Sequence, residues 1–196
     1  MTNIGNPKSV KLKAEDLIEI QLDEPLLRGI KELFRFLKDE KISLLWTSGN
    51  GYDLKHKGKK VGKIYFRDQR NRVELNIDTA DWGKYDLFLE GQPENVVELF
   101  KENMNSKCIQ CRPHLGCAQE RGTSFEILGK LYENVCFNSA RVHFLKIGGD
   151  IQAMTLKRSC AIIGEPMLAY DFPIETIKDL ILARKKYIVE TNQRAV

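Results

Sequence analysis

Residues 59–78 read KKVGKIYFRDQRNRVELNID, and their pattern predicts the central elements of the fold. Two runs that are rich in β-branched and aromatic residues flank a polar turn at 69–71. In the second run Val73, Leu75 and Ile77 alternate with polar residues, which is the pattern of an antiparallel strand with one buried face. The stretch therefore predicts an antiparallel hairpin.

The flanking sequence extends this hairpin into a larger unit. SLLWTS (43–48) and GYDLKH (51–56) meet at an Asn-Gly pair, a strong hairpin signal because both residues tolerate positive φ. Apolar residues at helical spacing predict helices, and ARVHFLKI predicts a further strand. Residues 1–22 show no strong periodicity and are expected to be an extended or frayed lead-in. The predicted helices cover 24–41, 93–104 and 174–190, and the further strand covers 140–147.

The sequence thus predicts one α+β domain over residues 1–196, with an antiparallel β-meander packed by amphipathic helices. Residues 24–104 form the helix and meander core, 105–139 a cysteine-rich metal-binding loop, and 140–196 a C-terminal strand and helix. The hydrophobic content of 42% and charged content of 30% are typical of a globular protein. No apolar run approaches the roughly 20 residues that span a bilayer, and no secretory signal opens the chain, so we expect a cytoplasmic protein without a membrane partner.

Residues 108–117 read CIQCRPHLGC and hold three of the five cysteines in the chain. A Cys-x2-Cys unit can supply half of a tetrahedral zinc site, and two further cysteines can complete it. His114 is an alternative ligand, and free thiols or an iron–sulfur cluster are alternatives to zinc. The predicted structural zinc ligands are Cys108, Cys111, Cys117 and Cys136.

Basic residues are concentrated around the central hairpin. Residues 55–72 contain eight Lys and Arg residues but only one acidic residue, Asp68. Tyr65 and Phe66 lie within the same segment. Such a hairpin can bind phosphates and stack on bases, so nucleic acid or another polyanion is a candidate partner. Lysines at exposed strand edges also prevent sheets from associating, which is the alternative interpretation. The candidate polyanion-binding residues are Lys57, Lys59, Lys60, Lys63 and Arg67.

The sequence contains no catalytic motif that would assign an enzyme activity. It lacks a Gly-x-Ser-x-Gly elbow, a phosphate-binding Gly-Lys-Ser/Thr loop and a His-Glu-x-x-His helix. Among its histidines, His56 is expected in an exposed turn and His143 packed in a strand. A small-ligand carrier or enzyme would need a concave apolar pocket, for which Trp46, Tyr65 and Trp82 are the candidate lining residues.

Two segments resemble bacterial YdhG-like domains. Residues 58–66 read GKKVGKIYF and residues 72–77 read RVELNI, following a helix. Residues 129–136, GKLYENVC, are similar to a pattern that follows a cysteine pair in such proteins, with the aromatic residue one place later. The resemblance implies a compact α+β fold and a bacterial cytosolic protein, and it carries no catalytic residues to this chain. We therefore expect a binding or adaptor protein with a structural zinc site; the alternatives are a polyanion binder and a pocket-bearing carrier or enzyme.

Metal content tests the zinc prediction. Protein purified without chelator should contain about one zinc per chain, because binding to four thiolates contributes on the order of 10 kcal/mol. Cys108→Ser and Cys136→Ser should each lose the metal and lower the thermal midpoint, whereas Cys160→Ser should retain the metal. Iron together with a visible absorption band would indicate an iron–sulfur cluster instead of zinc. Five titratable thiols and no metal would contradict the prediction of a metal site.

Overall fold

The fold is seen in a computed structural model that describes residues 12–67, 70–78, 86–94, 97–98, 123–135, 141–157 and 171–193. Within these ranges an antiparallel sheet of seven strands packs against helices, and two further strands form a separate small sheet. The predicted α+β class with an antiparallel sheet is therefore confirmed.

The strands of the large sheet lie in the order in which they occur in the chain, and the two strands of the small sheet are inserted between its fourth and fifth strands. Their order is β1-β2-β3-β4-β7-β8-β9, and every neighbouring pair is antiparallel. The helices are α1 (Ala14–Gln21), α2 (Leu26–Asp39), α3 (Asp86–Glu90) and α4 (Ile174–Gln193). The strands are β1 (Ser43–Trp46), β2 (Gly51–His56), β3 (Lys59–Phe66), β4 (Arg72–Asp78), β5 (Thr123–Ile127), β6 (Lys130–Val135), β7 (Arg141–Ile147), β8 (Ala153–Lys157) and β9 (Asp171–Pro173).

One face of the large sheet, here called the inner face, forms the core with α1, α2 and α4. The alternation in β4 places Val73, Leu75 and Ile77 on this face, where all three are fully buried. Phe66 of β3 meets Phe34 of α2 edge to face at 6.2 Å between ring centroids. The opposite, outer face carries the polar residues of the same strands, so the period-two pattern of the sequence fixes which side the helices cover.

Most predicted secondary-structure elements are confirmed, and one prediction is wrong. The helices at 24–41 and 174–190, the four strands of the meander and the strand at 140–147 are all present. Residues 14–21 were expected to be extended but form α1, whose apolar contacts Ala14, Leu17 and Ile18 occupy only two turns beside an exposed Ile20. α3 lies in a part of the chain for which no element is predicted above. Most of the predicted helix at 93–104 lies outside the described residues, as do residues 105–122 of the cysteine-rich loop.

None of the helices in the described ranges combines the length and apolarity needed to cross a membrane.

Asn71, in the turn between β3 and β4, joins three separated parts of the chain. Its amide N–H donates to the Gln21 carbonyl at the end of α1 (3.0 Å), and its own carbonyl accepts from Gly148 N–H after β7 (2.8 Å). Its side chain accepts from the Asp23 amide and donates to the Asp23 carboxylate, both at 2.6 Å. Its φ of 59° lies in the left-handed region, which asparagine adopts more readily than most residues.

Two substitutions of Asn71 should separate the contribution of its side-chain hydrogen bonds from that of its positive-φ backbone conformation. Asn71→Gly keeps the backbone conformation but removes both side-chain hydrogen bonds, so unfolding free energy should fall by about 1–2 kcal/mol. Asn71→Ala adds the strain of a positive φ and should cost about 1 kcal/mol more. Urea titration measures both. Lys57→Ala, at a positive-φ turn residue of φ 48°, is the control and should change stability by less than about 0.5 kcal/mol.

Equal losses for the two Asn71 variants would show that the backbone conformation is not strained. Losses within the error of the Lys57→Ala control would show that the turn does not stabilise the fold.

Candidate functional site

An open groove of about 960 Å³ lies between α1, α2 and the edge strand β1. Its volume is in the range of sites that hold a small ligand or a peptide segment. Apolar side chains from both helices, from the residues beside them and from β1 form its floor. These are Leu12, Ile18, Phe34, Ile42, Leu44 and Trp46.

Basic side chains surround this apolar floor. Five basic residues line the groove against two acidic ones, Glu15 and Glu19. Lys31 forms an ion pair with Glu19 at 2.6 Å. The other four are exposed and form no ion pair with any residue in the described ranges, so the rim carries an excess of positive charge. The basic residues are Lys13, Lys31, Arg35, Lys38 and Lys41.

Two hydrogen bonds hold the walls of the groove in place. The Tyr52 hydroxyl of β2 donates to the Leu12 carbonyl just before α1 (2.9 Å), and Tyr52 itself is only 2% exposed. The Trp46 indole N–H donates to the Gly49 carbonyl (3.0 Å), which fixes the ring in the β1–β2 hairpin. The groove is therefore formed before any partner binds.

Burial raises the pKa of the Tyr52 hydroxyl, and the nearby carboxylates of Glu15 and Asp16 raise it further. Both causes disfavour a phenolate beside the groove. The hydroxyl consequently acts as a neutral hydrogen-bond donor that fixes the start of α1.

Several basic side chains of the hairpin that was predicted as a polyanion site form ion pairs in the fold. Arg67 and Arg72 both bind the carboxylate of Glu74, whose side chain is only 7% exposed. Arg70 pairs with Asp23 at 2.7 Å, and Lys60 approaches Asp53 at 3.4 Å. These acids come from neighbouring strands and from the α1–α2 connection, so folding neutralises much of the charge that the hairpin carries in sequence.

The remaining candidates of this hairpin lie at two places. Lys57 and Lys59 are exposed at the β2–β3 turn, where no described residue pairs with them. On the outer face, the Lys63 ammonium and the Arg67 guanidinium lie 4.6 and 4.8 Å from the centroid of the Tyr65 ring. The ring thus already contacts two cations, which reduces the area available for stacking on a base.

The predicted zinc ligands Cys108, Cys111, Cys117 and Cys136 lie outside the described residues, and so does His114. Within the described ranges, no group of three or more His, Cys, Asp or Glu side chains could hold a metal ion. The zinc site therefore stays a prediction.

The three aromatic residues predicted to line a pocket do not come together. Trp46 lines the groove, Tyr65 lies on the opposite face of the sheet, and Trp82 is outside the described residues. His56, expected to be exposed, is 4% exposed, and its Nδ1–H donates to the Lys41 carbonyl at 3.1 Å. Sequence reasoning missed the rim of the groove because its cations lie just before α1, in α2 and in the loop after α2, and approach one another only in the fold.

Titration of Tyr52 should be visible in the pH dependence of stability. Its folded pKa lies above the unfolded value of about 10, so below that pH both states are neutral and stability is unaffected. As pH rises through about 10 the unfolded chain ionises first, and the free energy of unfolding falls. At neutral pH we expect the free energy of unfolding of Tyr52→Phe to be about 1 kcal/mol below that of wild type, because the hydrogen bond is missing. Between about pH 8 and 11 this free energy should decrease less in Tyr52→Phe than in wild type.

Urea unfolding across this pH range measures both effects. Tyr65→Phe is the matched control, because it removes a hydroxyl from the other face and leaves the Tyr52–Leu12 bond intact. An alkaline loss in Tyr52→Phe equal to that of wild type would contradict the assignment.

Searches against protein-family models, curated proteins and solved structures found no match to this chain. The resemblance to YdhG-like domains therefore stays a prediction, and the groove is interpreted from its own geometry.

Proposed function

We propose that this chain is a binding or adaptor protein whose binding site is the groove between α1, α2 and β1. Its partner combines an apolar surface with negative charge. The observation that supports this proposal is the juxtaposition of an apolar floor with four exposed cations, Lys13, Arg35, Lys38 and Lys41, that no described residue neutralises.

The two parts of the groove have different physical roles. Contact with the partly buried Leu12, Leu44 and Trp46 would remove apolar surface from water and supply most of the affinity. The exposed cations would contribute less energy each, but they would select an anionic partner and speed its association. A structural zinc ion bound by the cysteine-rich loop belongs to the same proposal as a stabilising element and not as part of this site.

The hairpin between residues 55 and 72 is a weaker candidate for a polyanion-binding site than the groove is for a site that binds an apolar anion. Four of its basic residues contact Asp23, Asp53 or Glu74, and a polyanion would have to compete with these carboxylates. The groove combines uncompensated charge with concave apolar surface, whereas the β2–β3 turn offers charge alone.

Binding of the dye anilinonaphthalene sulfonate tests the proposal, because the dye joins aromatic rings to a single anion. In a Trp82→Phe background, Trp46 is the only indole and should transfer energy to dye bound in the groove. Arg35→Glu/Lys38→Glu should raise the Kd for the dye about tenfold, because reversing two exposed charges makes the binding free energy about 1–2 kcal/mol less favourable.

Lys59→Glu/Lys186→Glu is the control, since it makes the same change of charge at two exposed residues that do not line the groove. This variant should bind the dye as wild type does. Circular dichroism of all variants checks that the dye reports on folded protein. Equal weakening in both double variants, or no energy transfer from Trp46, would refute the proposal.

A further inference from the structure

Strand β1 is an edge of the large sheet, with β2 as its neighbour on one side. The Thr47 N–H donates to the Gly51 carbonyl, so Thr47 opposes Gly51 as a hydrogen-bonded pair. Because such pairs alternate along an antiparallel ladder, Leu45 also bonds to β2, while the N–H and C=O groups of Leu44 and Trp46 point away from it. No described strand lies on that side.

This edge is only four residues long, but it lacks the charges and prolines that also prevent another chain from pairing with an edge strand. Residues Ser43–Trp46 include no charged residue and no proline, and Leu45 is 46% exposed. The opposite edge of the sheet, β9, is one residue shorter and contains Asp171 and Pro173. Since proteins usually shorten, charge or interrupt their edge strands, the open edge of β1 indicates a pairing surface.

The groove and this edge are one continuous surface. All four consecutive residues of β1 line the groove, although Leu44 and Trp46 face the helices and Leu45 faces the other side of the sheet. Only a partner that approaches β1 along its edge would contact side chains of both faces. A strand laid there would run beside β1 with α1 and α2 next to it.

We infer that the partner is an extended peptide segment that adds to β1 as an antiparallel strand. This inference rests on the proposed function and names its partner class. In an antiparallel pair, the residues bonded to Leu44 and Trp46 have side chains on the same face as these two. Those side chains enter the groove and are apolar, and the groove-facing residues at the two ends of the segment are acidic, opposite the cations of the rim.

Charge decides against two other occupants. A second copy of the chain, paired about Leu45, would bring the cations of one rim, such as Arg35 and Lys38, toward those of the other. Residues 1–11 of the same chain contain Lys8 and Lys11 and no carboxylate, so they do not complement the rim either. An acidic segment of another protein does.

The probe is a capped peptide, Glu-Thr-Val-Thr-Val-Thr-Glu, titrated into the Trp82→Phe protein while Trp46 fluorescence is followed. N-methylation of both valines removes the donors that face β1 and should weaken binding at least tenfold. N-methylation of the two threonines that precede the valines removes donors that face solvent and should leave the affinity within about threefold. Replacing the terminal glutamates with lysines should also weaken binding at least tenfold.

On the protein side, Leu44→Pro removes the outward N–H and leaves the β1–β2 bonds in place, so it should abolish peptide binding. Leu44→Ala is the matched control, since it shortens the same side chain but keeps the N–H, and it should retain measurable binding.

Dye binding without any effect of valine methylation would overturn strand addition while leaving the groove as the binding site. Failure of both dye and peptide would overturn the proposed function with it. A dimer in sedimentation experiments that Leu44→Pro converts to monomer would overturn the peptide in favour of a second copy.

Discussion

The arrangement of α1 and α2 over the sheet depends on the hydrogen bonds of Asn71. This residue holds the end of α1, the connection to α2 and the turn after β7 together. Arg70 adds an ion pair to the same connection through Asp23. Eight residues are too few for a helix to be stable alone, so α1 owes its position to such tertiary contacts.

The groove is a direct result of how α1 is held. Asn71 fixes the helix at Gln21, and the buried Tyr52 hydroxyl fixes Leu12, two residues before the helix begins. Between these two anchors the helix lies beside α2 and leaves β1 uncovered at the edge of the sheet. A site formed in this way loses little conformational entropy when a partner binds, because its walls are ordered beforehand. The hydrogen bonds of Asn71 and of the Tyr52 hydroxyl therefore position the walls of the apolar groove.

Periodicity was sufficient to predict the elements that have one continuous buried face. The alternation of Val73, Leu75 and Ile77 and the apolar stripe of α2 both appear in the structure as read from the sequence. The short α1 was missed because its buried residues span two turns and Ile20 interrupts the pattern. The joining of β8 and β9 to the sheet rests on long-range pairing that no local pattern encodes.

Charge was harder to predict than secondary structure. In sequence the hairpin is strongly basic, yet Glu74 lies across the turn from Arg67, and Asp23 reaches Arg70 only because α1 and α2 fold back onto the sheet. The cations of the groove show the reverse case. Lys13, Arg35 and Lys41 are unremarkable where they occur along the chain, and they become a charged rim only when two helices and a strand meet. Net charge along a segment is thus a poor guide to the potential at the folded surface.

The pairing of β4 with β7 has a consequence for how the cysteine-rich part of the chain can vary. Asp78 at the end of β4 lies directly opposite Arg141 at the start of β7, as two strands joined by a tight hairpin would. Residues 79–140, with the small β5–β6 sheet and four of the five cysteines, are therefore an excursion between adjacent positions of a ladder. The entropy of closing a loop grows only slowly with its length, so this excursion can lengthen or shorten at little entropic expense to the sheet. Its α3 is the part that must be kept, because Leu89 is fully buried in the core that the sheet shares with the helices.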